Sequence, residues 1–220
     1  GGEVKVENGV CKIIAPEPAE RGSVAVVSSV SKFDINSMFT VRRMKVTTGS
    51  DWRGPMLDQG FSDAPSSWGK NYIRHHTEFH RETWVSWTLH NECNHYSPYK
   101  DWSDVDVPEG QWYVSGVAWY ESDGVRRVAW FKNHVHDENM DYSSNDYVPH
   151  KPMYVFLQAA SYWDEYDNTG YMAVDWVYVR KFTYPEPTVI VQKEAPTTEV
   201  ETVFFDGFNS LENWTLVVYN

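Results

Sequence analysis

The stretch Tyr171–Phe182, YMAVDWVYVRKF, decides the fold. As an extended chain it sets Met172, Val174, Trp176, Tyr178 and Phe182 on one face. Ala173, Val177 and Val179 fall on the other, with Asp175 among them. Apolar β-branched and aromatic residues on both faces describe a central strand covered on both sides. That position predicts a buried Trp176. It also predicts a hydrogen-bond partner for Asp175, whose neighbours would desolvate it.

Upstream of this stretch, short strand-like runs alternate with turn signals. EVKVENGVCKII (3–14) alternates around Asn8-Gly9 and predicts a hairpin. Residues 23–30 and 38–46 are strands, and 47–70 is mostly loop, with short pieces at Met56-Leu57 or Gln59–Phe61. Asn71–Leu89 divides into two strands, and 90–110 is a polar, aromatic surface excursion. Residues 111–131 form a hairpin around Ser122-Asp123-Gly124, 132–149 is a polar loop, and Met153–Ala159 is a core strand. No amphipathic helix longer than about two turns is present, so the pattern is that of an all-β sandwich or barrel.

The segment MAVDWVYVRKF resembles the closing strand of concanavalin A-like jelly rolls such as laminarinases, which carry Val-Asp-aromatic-Val-x-Val there. VDWVYVRKFTYPEP (174–187) is closer still to a branch of that superfamily in archaeal surface proteins, where Val-Asp-Trp-Val-x-Val-Arg-Lys precedes Pro-Glu-Pro. The resemblance implies a jelly-roll β-sandwich over residues 1–183, and it speaks to fold more than to activity.

Composition excludes several partners. A formal charge of −12 argues against nucleic acid, which needs a basic patch. No run of about 18 apolar residues is present to span a membrane as a helix. The sequence contains no phosphate loop, dinucleotide fingerprint or Ser/His/Asp context. Gly1, with no initiator Met and no signal-like start, reads as a mature or excised N-terminus, and the expected location is extracellular or at the cell surface.

Glu78, His80 and Glu82 share one face if 78–82 is a strand. Laminarinase-like hydrolases place nucleophile and acid in a Glu-x-Asp-x-Glu pattern, so the resemblance makes these the candidate catalytic residues of a glycoside hydrolase. The His at the centre departs from that pattern, and solvent-facing polar alternation explains the three equally well. His75, His76 and His80, and separately His134 and His136, could supply imidazole ligands but lack a carboxylate or Cys partner pattern. Asp164, Glu165, Asp167 and Asn168 form an oxygen-rich loop that could hold calcium, but it lacks the Gly-punctuated regularity of a dedicated calcium loop and reads equally as a solvated acidic loop. Trp68, Trp102 and Trp163 fall in predicted loops, where they could stack on sugar rings or lie in subunit contacts.

The tail has its own logic. Residues 184–202, with Pro185, Pro187 and Pro196, read as an extended linker. Residues 203–220 carry Phe204, Phe205, Phe208, Trp214, Leu216 and Val218 and resemble the opening of a concanavalin A-like domain. Exposed, such a segment invites aggregation, so it must pair. The expectation is donation to a neighbouring copy, with Leu216–Tyr219 beside that copy's Glu3–Val6, giving a head-to-tail filament or tandem array. A polysaccharide-binding module of a larger surface protein is the alternative.

Cys11 and Cys93 are consistent with one disulfide in an oxidising compartment, or with two buried free thiols. The disulfide would close a loop of about 80 residues and stabilise the fold by about 3–5 kcal/mol in the chain-entropy model. Alkylation and intact-mass measurement under non-reducing, denaturing conditions should find no reactive thiol. Two labelled thiols would refute the pairing.

Overall fold

The computed structural model describes residues 2–15, 24–48, 55–66, 69–78, 84–90, 99–102, 109–160, 169–187, 202–206 and 214–219. They form an all-β sandwich of the concanavalin A-like jelly-roll type, two antiparallel sheets face to face. The larger, nine-stranded sheet contains β1 (Glu3–Glu7), β2 (Val10–Ile14), β4 (Ser37–Thr48), β9 (Trp112–Ser122), β10 (Val125–Lys132), β11 (Val135–His136), β12 (Tyr142–Ser143), β14 (Thr169–Lys181) and β15 (Thr202–Asp206). Its main path runs β1-β2-β14-β4-β9-β10-β11, with β12 on β10 and β15 on β14. The smaller, seven-stranded sheet contains β3 (Val24–Phe33), β5 (Met56–Ser62), β6 (Tyr72–Glu78), β7 (Trp84–His90), β8 (Tyr99–Trp102), β13 (Met153–Ala160) and β16 (Trp214–Tyr219). Its order is β16-β3-β13-β5-β6-β7-β8.

Both predicted hairpins form. Asn8 and Gly9 turn β1 into β2 with φ of 53° and 76°, and Asp123 and Gly124 turn β9 into β10 with φ of 55° and 71°. Two successive positive φ values match the right-handed twist of the flanking strands, which is why Asn-Gly and Asp-Gly mark these turns. The polar stretch expected as a loop is partly ordered, since Val135–His136, a short 3₁₀ turn at Glu138–Met140 and Tyr142–Ser143 line the β10 edge. β5 is one continuous strand where a short piece at Met56-Leu57 or Gln59–Phe61 was expected, and Tyr99–Trp102 of the expected excursion is a strand on β7.

The sheets meet on Phe39, Phe61 and Trp119, with Phe61 5.5 Å from Trp119 and 6.1 Å from Phe39 between ring centroids. Trp119 is fully buried, and its indole Nε1 donates to the Pro149 carbonyl at 2.8 Å, so neither its rings nor its N–H is left unsatisfied. Toward one end the interior becomes polar. The inward residues of β4 run Phe39, Val41, Arg43, Lys45. Arg43 donates to the Leu57 carbonyl at 3.3 Å and contacts His75 Nδ1 at 3.4 Å, and Gln59 donates to Ser115 Oγ at 2.6 Å. Burial holds the Lys45 ammonium below the usual lysine range, although Glu109 at 3.7 Å opposes that shift.

β14 is central, between β4 on one side and β2 and β15 end to end on the other. Its faces, however, differ from the simple alternation. The register with β4 slips between Val174 and Trp176, a β-bulge at Asp175. The extra residue inverts parity, so Val177 and Val179 join Met172 and Val174 in the core while Trp176 and Tyr178 turn to the outer face. Trp176 is therefore half-buried where full burial was expected. Asp175 has the partner it was expected to need, the Arg42 guanidinium.

The tail also differs from expectation. β16 pairs antiparallel with β3 of its own chain, Leu216 opposite Val27 and Val218 opposite Ala25, with Trp214 buried in the common core. β15 runs back along β14, setting Phe205 opposite Tyr178 and Phe204 opposite Val179. Phe208 lies outside the described residues. The linker prolines were expected to carry the tail away. Instead Phe182 is buried, Tyr184 stacks on Tyr120 at 5.5 Å, and Glu186 pairs with Arg180, which pins the start of the linker to the sandwich.

The bulge makes a testable distinction between two tryptophans. Trp119→Ala should cost about 3–5 kcal/mol, as deletion of a large buried aromatic does. Trp176→Ala should cost less than half of that in urea unfolding. Equal losses would place Trp176 in the core and remove the bulge.

Candidate functional site

β6, which ends at Glu78, lies in the smaller sheet, and the outer face of that sheet gathers buried polar groups, which makes it the candidate site. Cross-strand partners share a face, and the register aligns Gln158, Asp58, His76, Ser86 and Asp101 in one row across β13, β5, β6, β7 and β8. The next row aligns Phe156, Gly60, Arg74, Thr88 and Tyr99. A third aligns Tyr154, Ser62, Tyr72 and His90.

The floor of this face is polar and organised. Asp58 is fully buried, yet it meets Arg74 Nη1 at 3.8 Å and accepts from Gln158 Nε2 at 3.3 Å. A buried carboxylate persists only with such partners. Gly60 carries a φ of +149°, and a Cβ there would stand 1.9 Å from the Ile73 carbonyl oxygen, so β5 and β6 approach this closely only with glycine at that position. Around the floor stand half-buried rings: Tyr72 under the Arg74 guanidinium at 5.5 Å, and Tyr154 under Lys32 at 4.8 Å. Aromatic faces beside fixed donors and acceptors suit a hydroxyl-rich ligand, whose C–H faces stack while its hydroxyls hydrogen-bond.

Of the expected catalytic set, only Glu78 falls among the described residues. β6 ends at Glu78, which pairs with Trp84 at the start of β7. His80 and Glu82 fall between these strands and outside the described residues. Of the histidines, His75 points into the core, 5.7 Å from Trp130 between ring centroids. His136 contacts Asp141 at 2.8 Å, and burial outweighs that contact and raises the Asp141 carboxyl above its usual range. No group of three or more His, Cys, Asp or Glu gathers as a metal site among the described residues. The calcium candidates Asp164, Asp167 and Asn168, the sugar-stacking candidates Trp68 and Trp163, and Cys93 all lie outside the described residues. Cys11 is buried in the core. Trp102 ends β8 and pairs with Val85 of β7.

Asp58, Arg74 and Gln158 escaped the sequence reading because β5 looks like loop. LDQG carries polar residues on both faces, Asp58 outward and Gln59 inward, and each hydrogen-bonds a strand far away in sequence. The signal that could have found them is the alternation across HHTE and LQAA, the strands that flank β5.

Several solved structures share this fold. The chain is similar to a legume lectin-like domain from Entamoeba histolytica, with TM-score 0.56, 11% identity, and 83% of this chain and 88% of that one covered. It is similar to a β-glucanase from Bacillus licheniformis, with TM-score 0.51, 10% identity and 82% of each chain covered. The carbohydrate recognition domain of Emp47p matches with TM-score 0.50, 10% identity, and 83% and 87% covered. At these identities the likeness shows the fold alone. No family model and no curated protein matches the chain, so the narrower resemblance to archaeal surface proteins rests on its motif.

Removing one side of the buried pair tests the site's organisation. Asp58→Ala should leave Arg74 buried without its carboxylate and cost about 3–5 kcal/mol in chemical unfolding. A loss below about 1 kcal/mol would mean the pair is solvated and the floor is not preorganised.

Proposed function

We propose that this chain is a non-catalytic glycan-binding domain of lectin-like type that acts outside the cell. The reading is carried by the buried Asp58–Arg74–Gln158 cluster on the outer face of the smaller sheet, bordered by Tyr72 and Tyr154. A sheet face that only had to be covered would be served by apolar residues. Fixed polar groups beside rings are what hydroxyl recognition needs. The neighbours named as lectin-like and carbohydrate-recognising support the class, and the β-glucanase keeps hydrolysis as the second reading.

Hydrolysis by a retaining mechanism needs two carboxyls about 5 Å apart. Among the described residues of this face, Asp58 is committed to Arg74 and Gln158, which leaves it poorly placed as nucleophile or acid. Strand donation into a filament draws less support, because the tail that would be donated pairs within its own chain.

Screening the intact protein on a glycan array, followed by titration of the best oligosaccharide, tests the proposal. Arg74→Ala should weaken binding at least about tenfold, the loss expected for one charge-assisted hydrogen bond, with the circular dichroism spectrum unchanged. Release of reducing ends by the wild type, abolished by Glu78→Gln, would establish a hydrolase instead.

A further inference from the structure

The larger sheet also has an outer face, and the bulge at Asp175 determines what it carries. Without the extra residue Trp176 and Tyr178 would point inward, and valines would point out. With it, the two rings lie nearly parallel on the outer face, 5.6 Å apart and inclined by 22°. The register sets Trp176 opposite Arg42 of β4, and Met44, two residues along, opposite Trp112 of β9. The Arg42 guanidinium lies over the Trp112 ring at 5.0 Å and pairs with Asp175. Arg42 and Asp175 remain 40% and 32% exposed, so this polar pair is open to a ligand, unlike Asp58 and Arg74 on the opposite side.

We propose that Trp112, Arg42, Asp175, Trp176 and Tyr178 form a second glycan-contacting platform for an uncharged, pyranose-containing polysaccharide. Three rings at one surface offer stacking area for sugar C–H faces. The guanidinium and carboxylate between them supply donors and acceptors for hydroxyls. Because the pair is internally neutralised, the platform favours a neutral chain over an anionic or cationic one. The proposal shares its ligand class with the function proposed above but uses different residues, on the opposite face of the sandwich. Two sites facing away from each other make the protein bivalent, able to bridge polysaccharide chains without any oligomerisation.

Native electrophoresis in gels containing laminarin, xyloglucan or galactomannan reads binding, and light scattering of protein–polysaccharide mixtures reads bridging. Wild type should be retarded and should raise scattering. Trp112→Ala and Trp176→Ala should each weaken retardation about fivefold, the scale of one stacking contact, and abolish bridging. Trp176→Phe should keep both, which separates ring loss from misfolding. Arg74→Ala should abolish bridging yet remain retarded, and only the Arg74→Ala, Trp176→Ala double variant should lose both. Wild-type behaviour of Trp112→Ala and Trp176→Ala would overturn the platform and leave the first site standing. An inert Arg74→Ala beside a defective Trp176→Ala would support the platform and remove the first site. No retardation of wild type by any of the three polysaccharides would overturn both. Light scattering of the protein alone that shows a dimer, dissolved by Trp176→Ala, would assign the face to a second copy and overturn the proposal.

Discussion

The fold depends on the pairing of β14 with β4 and on the bulge that interrupts it. β14 is flanked by β4 along its whole length on one side, and on the other by β2 along its first half and β15 along its second. An antiparallel strand in this position must fill the core with one face along its whole length. Strict alternation would have driven Trp176 and Tyr178 into a space already occupied by Phe39, Phe61 and Trp119. The bulge inverts the parity midway, so valines fill the interior on the far side of Asp175 and the rings pass to the surface. Asp175 itself, at the point of slippage, pairs with Arg42, which faces Trp176 across the ladder.

The two outer faces meet the cost of polar residues differently. On the smaller sheet, Asp58 and Gln158 are fully buried and locked to each other and to Arg74, so their positions are set before any ligand arrives. Prepaid ordering of this kind lowers the entropy lost on binding. On the larger sheet, Arg42 and Asp175 stay in partial contact with water, where an ion pair contributes little to stability. Such a pair can exchange partners with a ligand at small energetic loss. A rigid floor on one side and an adaptable pair on the other are both consistent with recognition of hydroxyls.

Much of this fold was legible in the sequence, and the reasons are local. Asn8-Gly9 and Asp123-Gly124 announce their hairpins because two consecutive left-handed residues tolerate few other side chains. The central position of β14 was legible because both of its faces are apolar. Its bulge was not, since the slip is a property of the register with β4 and leaves no mark within VDWV. The fate of the tail was hidden for a similar reason. Prolines in 184–202 describe a stiff segment, but its start is held by contacts between Tyr184 and Tyr120 and between Glu186 and Arg180, which no pattern within the segment announces. The polar floor around Asp58 was the least legible part, because a strand with polar residues on both faces reads as a loop until its distant partners are known.

Glycans should meet the outer faces while the core tryptophans stay out of reach. Fluorine NMR of 5-fluorotryptophan-labelled protein, assigned by single Trp→Phe substitutions and titrated with the best array oligosaccharide, measures this residue by residue. The resonances of Trp112 and Trp176 should move and saturate, while those of fully buried Trp119 and nearly buried Trp130 stay fixed. Shifts confined to Trp119 and Trp130, or no shift at any tryptophan at saturating ligand, would contradict it.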